Sequence, residues 1–458
     1  MPVVLWTDAL VFALAAAVAV YFSYVHHQPH LRAPWRRVTR SVQGMSALVI
    51  LAVFLGIGLL DSVHYRRALE RQPGREVAYS TEVISVFDAV AEPLRAHREK
   101  TYSAPFATRA FARETLEIPG PDGTLRQVRD FPRLAFGGAH LKDEADRGGD
   151  ILRGALKGLG LAALVWGLLA GGAGRVSKAA AHVPWRAILI TVGVVLAVAG
   201  PIAVLCPDYH VLGTDKVGRD VLYLALKSIR TGLVIGTVTT LVVLPFAVTL
   251  GIMAGYFRGL VDDVIQFIYT GINSIPAVLL IAACILMAQV LLDRHPDLAA
   301  TAAQRADLRL LVLCLVLGLT GWITLARLLR GEALKLRELE YIQAAQAFGV
   351  RSAGIITRHI LPNVMHIVII SLVIDFSGLV LAEAVLSYVG VGVDPSMISF
   401  GTMINAARLE MSREPVVWWT IAAAFFFMFV LVLSANLFAD AVRDAFDPRV
   451  RVGAVAAA

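Results

Sequence analysis

The sequence predicts an all-α polytopic membrane protein with a small extramembrane α+β insertion. Three observations carry that expectation. Apolar residues make up 57% of the 458 positions and charged residues only 17%, with mean hydropathy +0.68, whereas a soluble globular chain holds roughly 45–50% apolar and about 25% charged residues. The apolar residues collect into runs long enough to cross a bilayer, and the remaining charges gather between those runs. This composition excludes a disordered chain, a nucleic-acid binder working through a basic surface and an ordinary cytosolic enzyme, so no nucleic-acid partner is expected. The three cysteines, Cys206, Cys284 and Cys314, lie far apart in or beside apolar runs. They form no CxxC pair or mixed Cys/His cluster, so no metal site is expected.

A helix needs about 20 apolar residues to cross roughly 30 Å of hydrocarbon. Nine runs qualify: Val3–Tyr24, Met45–Leu60, Gly154–Ala173, Ala187–Leu205, Thr231–Tyr256, Val264–Leu292, Leu310–Leu329, Val364–Val389 and Val417–Phe438. The third is the weakest, with Lys157 and many glycines inside it. The first has no basic residue ahead of it and holds Asp8, so it reads as a retained helix rather than a signal peptide.

Short basic loops set the orientation. Arg32, Arg36, Arg37 and Arg40 lie between the first two spans, and Arg175, Lys178 and Arg186 between the third and fourth, with no acid among them. The loop after the seventh span adds Arg327, Arg330, Lys335, Arg337, Arg351 and Arg358 against Glu332, Glu338 and Glu340. On the other side Arg294, Arg305 and Arg309 face Asp293, Asp297 and Asp307. With nine spans these loops place the N-terminus outside and the C-terminus in the cytoplasm. His26, His27 and His30 cluster beside the first basic loop, where rings snorkel to lipid headgroups.

The pattern divides the chain into two N-terminal spans (1–60), an outer domain (61–153), a third extra span with a basic linker (154–184) and a main transmembrane region (185–451). The outer domain offers an amphipathic stretch, Thr81–Glu99, and a hairpin-like run, Thr115–Val128, with Asp122-Gly123 as its turn. The cytoplasmic loop, 330–362, holds the densest signal. Glu338 to Phe348 is rich in helix formers, and Gly349 follows where a C-cap glycine belongs. Tyr341, Ala344, Ala345 and Phe348 recur at helical spacing as one apolar, small-residue face, and Pro362 is expected to stop a second helical segment before the eighth span. Periodicity alone leaves two readings open: a docking helix, or a helix resting on headgroups.

Four ordered segments decide between them. Gln343-Ala344-Ala345, three residues, Gly349, nine residues and then His359-Ile-Leu361-Pro362 resembles the EAA loop of ABC-transporter permease subunits. Gln343 stands in place of the first Glu. His210-Val-Leu-Gly-Thr-Asp-Lys-Val-Gly-Arg-Asp-Val-Leu222 is similar to the HxLGTDxxGRDxL signature of these subunits. Leu381-Ala-Glu-Ala-Val-Leu-Ser-Tyr-Val-Gly-Val-Gly392 resembles their LxEAxLSFLGLG segment, and Asn436 to Arg449 resembles NLxGDxLRDxLDPR. The Arg-His-Ile-Leu-Pro-Asn form of the loop is typical of the dipeptide/oligopeptide and nickel branch.

The resemblance implies a type I importer permease core of six helices, here with about three extra N-terminal helices, in a bacterial inner membrane. It implies a second homologous permease subunit, two cytoplasmic ATPase subunits and a periplasmic substrate-binding protein as partners, with membrane lipid around the spans and no cofactor. Glu340, Gln343, Ala344, Ala345, Phe348, Gly349, Leu361 and Pro362 would form the ATPase-coupling loop. The chain itself would not be an enzyme, since no GxxxxGK[ST] loop, HExxH or GxSxG occurs in it and ATP hydrolysis falls to a partner.

Polar groups inside spans are costly against lipid and mark candidate path residues. Asp375 with Ser371 lies deep in the eighth span, Glu383 toward its outer end, and Asn273-Ser274-Ile275-Pro276 in the middle of the sixth. Each leaves two readings open, pore wall or contact between helices. A membrane-embedded enzyme is the alternative from another class, disfavoured by the lack of a nucleophile–base pair. A secondary transporter is disfavoured by the lack of paired broken helices in inverted repeats.

Overall fold

The computed structural model describes residues 1–69, 79–119, 125–179, 182–295, 297 and 301–446. The helices are, in chain order, α1 (Trp6–His27), α2 (Pro29–Val38), α3 (Val42–Asp61), α4 (Val86–Val90), α5 (Glu92–Ala96), α6 (Arg147–Ala179), α7 (Trp185–Leu205) and α8 (Val221–Phe257). There follow α9 (Gly259–Asn273), α10 (Ala277–Arg294), α11 (Ala302–Arg337), α12 (Glu340–Ala347), α13 (Ser352–Ile355), α14 (Leu361–Val389), α15 (Phe400–Ala407) and α16 (Trp419–Phe446). Among the described residues nine helical stretches are long and apolar enough to cross a membrane: α1, α3, Glu144–Ala173, α7, α8, α10, α11, Ser352–Val389 and α16. The chain is an all-α polytopic protein with few strands.

Two compact units divide the chain. The first holds Met1–Val3, Thr39–Thr231 and Ile398–Ser434. Here β1 (Pro2–Val3), β2 (His64–Tyr65) and β3 (Ile84–Ser85) form a small antiparallel sheet in that order. Strands β4 (Glu114–Pro119) and β5 (Leu125–Asp130) pair as a hairpin in which Thr115 faces Arg129. Its Asp122-Gly123 turn lies outside the described residues. The Thr81–Glu99 stretch holds β3 and the two short helices α4 and α5. Ser85 and Asp88 close a capping box on α4, and Pro93 restarts the chain at the first turn of α5.

The glycine-rich third run forms a long helix, α6, that packs as half of a helical hairpin with α7. A β-carbon on Gly158 of α6 would come within 2.5 Å of the Pro201 backbone in α7. The glycines thus let two backbones approach closely, as small residues do between membrane helices. Trp166 Nε1 donates to the Leu189 carbonyl at 2.7 Å across the same seam.

Two buried charge clusters fix the first turns of α8. Lys227 Nζ lies 3.1 Å from Asp61 at the end of α3 and also binds Asp88 of α4, while the Tyr223 hydroxyl donates to Asp88 at 2.7 Å. Burial opposes the charge on Asp88, but Lys227 beside it holds the carboxyl below its usual range. In the second cluster the His210 ring lies 2.8 Å from Asp220 through Nδ1 and 3.6 Å from Glu99 through Nε2.

The second unit holds Val4–Val38, Gly232–Met397 and the residues from Ala435 onward. Its two larger apolar cores are built mainly on α8, α11 and α14, with Trp322, Leu329, Ile342, Ile355, Ile360 and Val364 in one and Leu310, Leu313 and Cys314 in the other, and a smaller one gathers Val38, Val442 and Ala445. The extra helix α1 belongs to this unit: the Thr7 amide donates to the Asp307 carboxylate of α11 at 3.1 Å, capping α1 from outside.

The sixth span is corrected. Val264–Leu292 is not one helix but two, because α9 ends at Asn273 and α10 starts at Ala277. Pro276 has no amide to give and disfavours helical backbone at Ile275. The Ser274 hydroxyl and amide turn back onto Gly271 and Thr270 to close α9.

Candidate functional site: the loop between α11 and α14

Helix α12 is shorter than the Glu338–Phe348 reading by its ends, and its end is closed by hydrogen bonds that demand glycine. The Gly349 amide donates to the Gln346 carbonyl at 2.9 Å and the Val350 amide to Ala345 at 3.1 Å, a Schellman turn. Gly349 has φ +75°, and space around it is open, so backbone conformation alone selects glycine there.

The two sides of α12 are unlike. Ile342 is fully buried, and Ala345 packs beside it on the apolar core. Tyr341, Ala344 and Phe348 point away, with Phe348 88% exposed. This corrects the single face drawn through all four residues: Ala345 belongs to the inner side. Glu340 and Gln343 are exposed, and the Gln343 amide reaches the Glu338 carbonyl at 3.3 Å.

Sequence reasoning missed the braces that hold the loop. Arg330 makes a two-pronged ion pair with Asp262 of α9, at 2.6 and 2.7 Å. Arg330 beside it holds the Asp262 carboxyl below its usual range. Arg337 donates to the Tyr256 carbonyl at the end of α8 (2.7 Å), and Asn363 to the Tyr341 hydroxyl (3.1 Å). Opposite-charge residues on different helices carry no local periodicity that would have paired them.

Pro362 does not stop a helical segment. The helix beginning at Ser352 runs through a π turn, Ile356–Ile360, straight into α14, where Pro362 sits in the first turn. The Leu361 amide bonds the Ile356 carbonyl five residues back. A wider turn before a proline relieves the clash its ring makes with the preceding turn. Leu361 packs on the core while Pro362 is exposed.

The candidate path residues are not all alike. Asp375 and Ser371 are half-buried in the middle of α14, and Asp375 makes no hydrogen bond or ion pair among the described residues. Asn273, Ser274 and Pro276 are exposed at the α9–α10 break. Glu383 is only 1% exposed and accepts from the Ser387 hydroxyl at 2.6 Å, next to the left-handed Gly390 that ends α14. It is enclosed by its own chain and in this conformation presents nothing to a passing solute. Ser377 donates to Asn436 of α16 at 2.7 Å, so the C-terminal segment serves to tie helices together; Asp447 to Arg449 of it lie outside the described residues.

Span-length apolar helices interrupted by a braced short helix with one exposed side are the geometry of a polytopic membrane subunit. The comparisons say which kind. The profile of the binding-protein-dependent transport system inner membrane components matches residues 247–452. The oligopeptide transport system permease protein OppC of Mycobacterium bovis is 31% identical over 242 residues, 53% of this chain and 77% of that one. The glutathione transport system permease protein GsiD of Pectobacterium atrosepticum is 31% identical over 53% of this chain and 73% of that one. The dipeptide transport system permease protein DppC of Bacillus subtilis is 28% identical over 53% and 69%. Among solved structures, a chain of the inward-facing MetNI methionine ABC transporter gives a TM-score of 0.38 at 17% identity, covering 50% of this chain and 98% of that one. The chain belongs to the binding-protein-dependent inner membrane components, the permease subunits of ABC importers.

Proposed function

We propose that this chain is one of two permease subunits in an ATP-driven importer of peptides or similar small solutes. Its partners are a second homologous permease, two cytoplasmic ATPase subunits and a periplasmic substrate-binding protein. The substrate class rests on relatives named for oligopeptide, dipeptide and glutathione transport. The N-terminus lies outside and the C-terminus in the cytoplasm, as the basic loops require. Residues 61–153 form an outer domain, and 185–451 the transport region. Asp375, Ser371 and the Asn273–Pro276 break line the path, because a carboxylate in mid-span needs water or protein beside it.

The observation that carries this reading is the exposed Tyr341–Ala344–Phe348 side of α12, held out from a core-anchored Ile342. Nearly bare backbone at Ala344 admits a close partner, and an apolar ring left 88% exposed is suited to a groove. ATP-driven movement of the ATPase would be passed through α12 and its Arg330–Asp262 brace to α9, α11 and α14. The test is ATPase stimulation by loaded binding protein in reconstituted complexes. Phe348→Ala and Ala344→Trp should each cut stimulation by about tenfold or more, the effect expected of an interface anchor. Full association and full stimulation in Ala344→Trp would sink the coupling role.

A further inference from the structure

The first unit carries a cleft of about 690 Å³ remote in sequence from the coupling loop. That volume lies in the range of small-ligand sites, roughly 300–1,000 Å³. One wall comes from the hairpin of β4 and β5 and its open end. Arg129 stands opposite Thr115 in the ladder, and Arg113 and Phe131 follow two positions on, so alternation brings Arg113, Arg129 and Phe131 to one face. The Arg113 guanidinium lies 5.2 Å from the centre of the Phe131 ring. The other wall comes from the segment before α16, where Arg413 lies 5.6 Å over the Tyr102 ring.

The charges divide unevenly. Arg109 is paired with Asp130 and Glu144, and Arg413 with Glu410. Arg113 and Arg129 pair with no carboxylate among the described residues, and Glu414 is the acid on the lining. Two like charges on one face of a hairpin repel, and an anion between them removes that cost. Guanidinium forks match the planar carboxylate with two parallel hydrogen bonds. The half-buried Phe131 ring adds an apolar surface that a bare inorganic anion cannot use.

We propose that this cleft binds the carboxylates of an acidic peptide segment, with Arg113 and Arg129 gripping the charge and the Phe131 ring receiving a neighbouring apolar side chain. The lining also includes Val417, immediately ahead of α16. The segment can be a free acidic peptide or an acidic loop of a partner protein.

The test uses the full chain in lipid nanodiscs and fluorescence anisotropy of a labelled Asp-Phe-Glu peptide, with Asn-Phe-Gln amide as the neutral control. The acidic peptide should bind at least about tenfold tighter and weaken as salt rises. Arg113→Gln and Arg129→Gln should each lose about tenfold at unchanged melting temperature, and Lys100→Gln, outside the cleft, should lose none. Glu414→Gln should tighten binding, which keeps the idea testable if an arginine variant fails to fold. Competition by the transporter's substrate-binding protein would assign the carboxylates to that protein, and its failure to compete would assign them to free peptide. That arm alone rests on the proposed partner. Equal affinity for the two peptides, full binding by both arginine variants, or equal displacement by inorganic phosphate would overturn the proposal.

Discussion

Burial alone would strip the proton from His210, but Asp220 at 2.8 Å and Glu99 at 3.6 Å more than offset it, and its pKa is pushed up to about 9. Burial likewise works against the Glu99 charge, yet His210 and the Phe136 and Ala135 amides hold that carboxyl below its usual range. The signs set a pH window. A raised histidine stabilises the fold fully below its ordinary value of about 6.5, and that contribution is lost progressively as pH climbs to about 9. A lowered glutamate contributes above its ordinary value and is lost on acidification. The melting temperature of the detergent-solubilised chain should therefore fall between about pH 6.5 and 9. His210→Gln should melt lower at pH 6 and lose most of that slope, and an identical slope in the variant would exclude His210 as its source. The histidine and Asp220 were legible as one motif in the sequence. Glu99 was not, because only the folded chain brings its strand of loop over Gly218, whose φ of +73° and contact with the Glu99 carbonyl leave no room for a β-carbon.

On the scale of elements, α12 shows how far periodicity reaches. A helix of eight residues has a readable apolar side, but which of two adjacent alanines turns inward depends on what lies beneath it. Here the floor is the core around Leu329, Ile355 and Ile360, and it selects Ile342 and Ala345. Ala345→Trp therefore overpacks a filled interior, at a cost of typically 1–3 kcal/mol, about that of moderate core overpacking. Ile342→Ala opens a cavity there, at about 2–5 kcal/mol. Both should speed amide hydrogen exchange over 340–350 without any partner present, whereas Ala344→Trp should leave exchange near wild type. Unchanged protection in Ala345→Trp would show that Ala345 is not held against the core. The same limit explains the two proline misreadings. Proline is legible as a breaker, but whether it splits a helix, as at Pro276, or joins one through a π turn, as at Pro362, is decided by the turns available around it.

At the scale of the whole molecule, the apolar runs were the legible part, because hydrocarbon thickness sets a minimum length that each must meet. The helix ends were not: α8 begins at Val221, ahead of its apolar run, since Lys227 is neutralised by Asp61 and Asp88 instead of being left to water. Span parity now makes a sharp demand. Between Gln127 on β5 and Phe348 after α12 the described residues hold five helical stretches long and apolar enough to span, in α6, α7, α8, α10 and α11, and the proposed topology has each cross once. An odd number puts the two residues on opposite sides, and the basic loops put Phe348 inside. Both are exposed, so either can report its side. In a chain whose native cysteines are replaced, Gln127→Cys should react in intact cells with a membrane-impermeant maleimide, and Phe348→Cys only after the membrane is opened. If α9 instead crossed the bilayer on its own, parity would become even and both positions would label alike. Same-side labelling would thus overturn the proposed orientation.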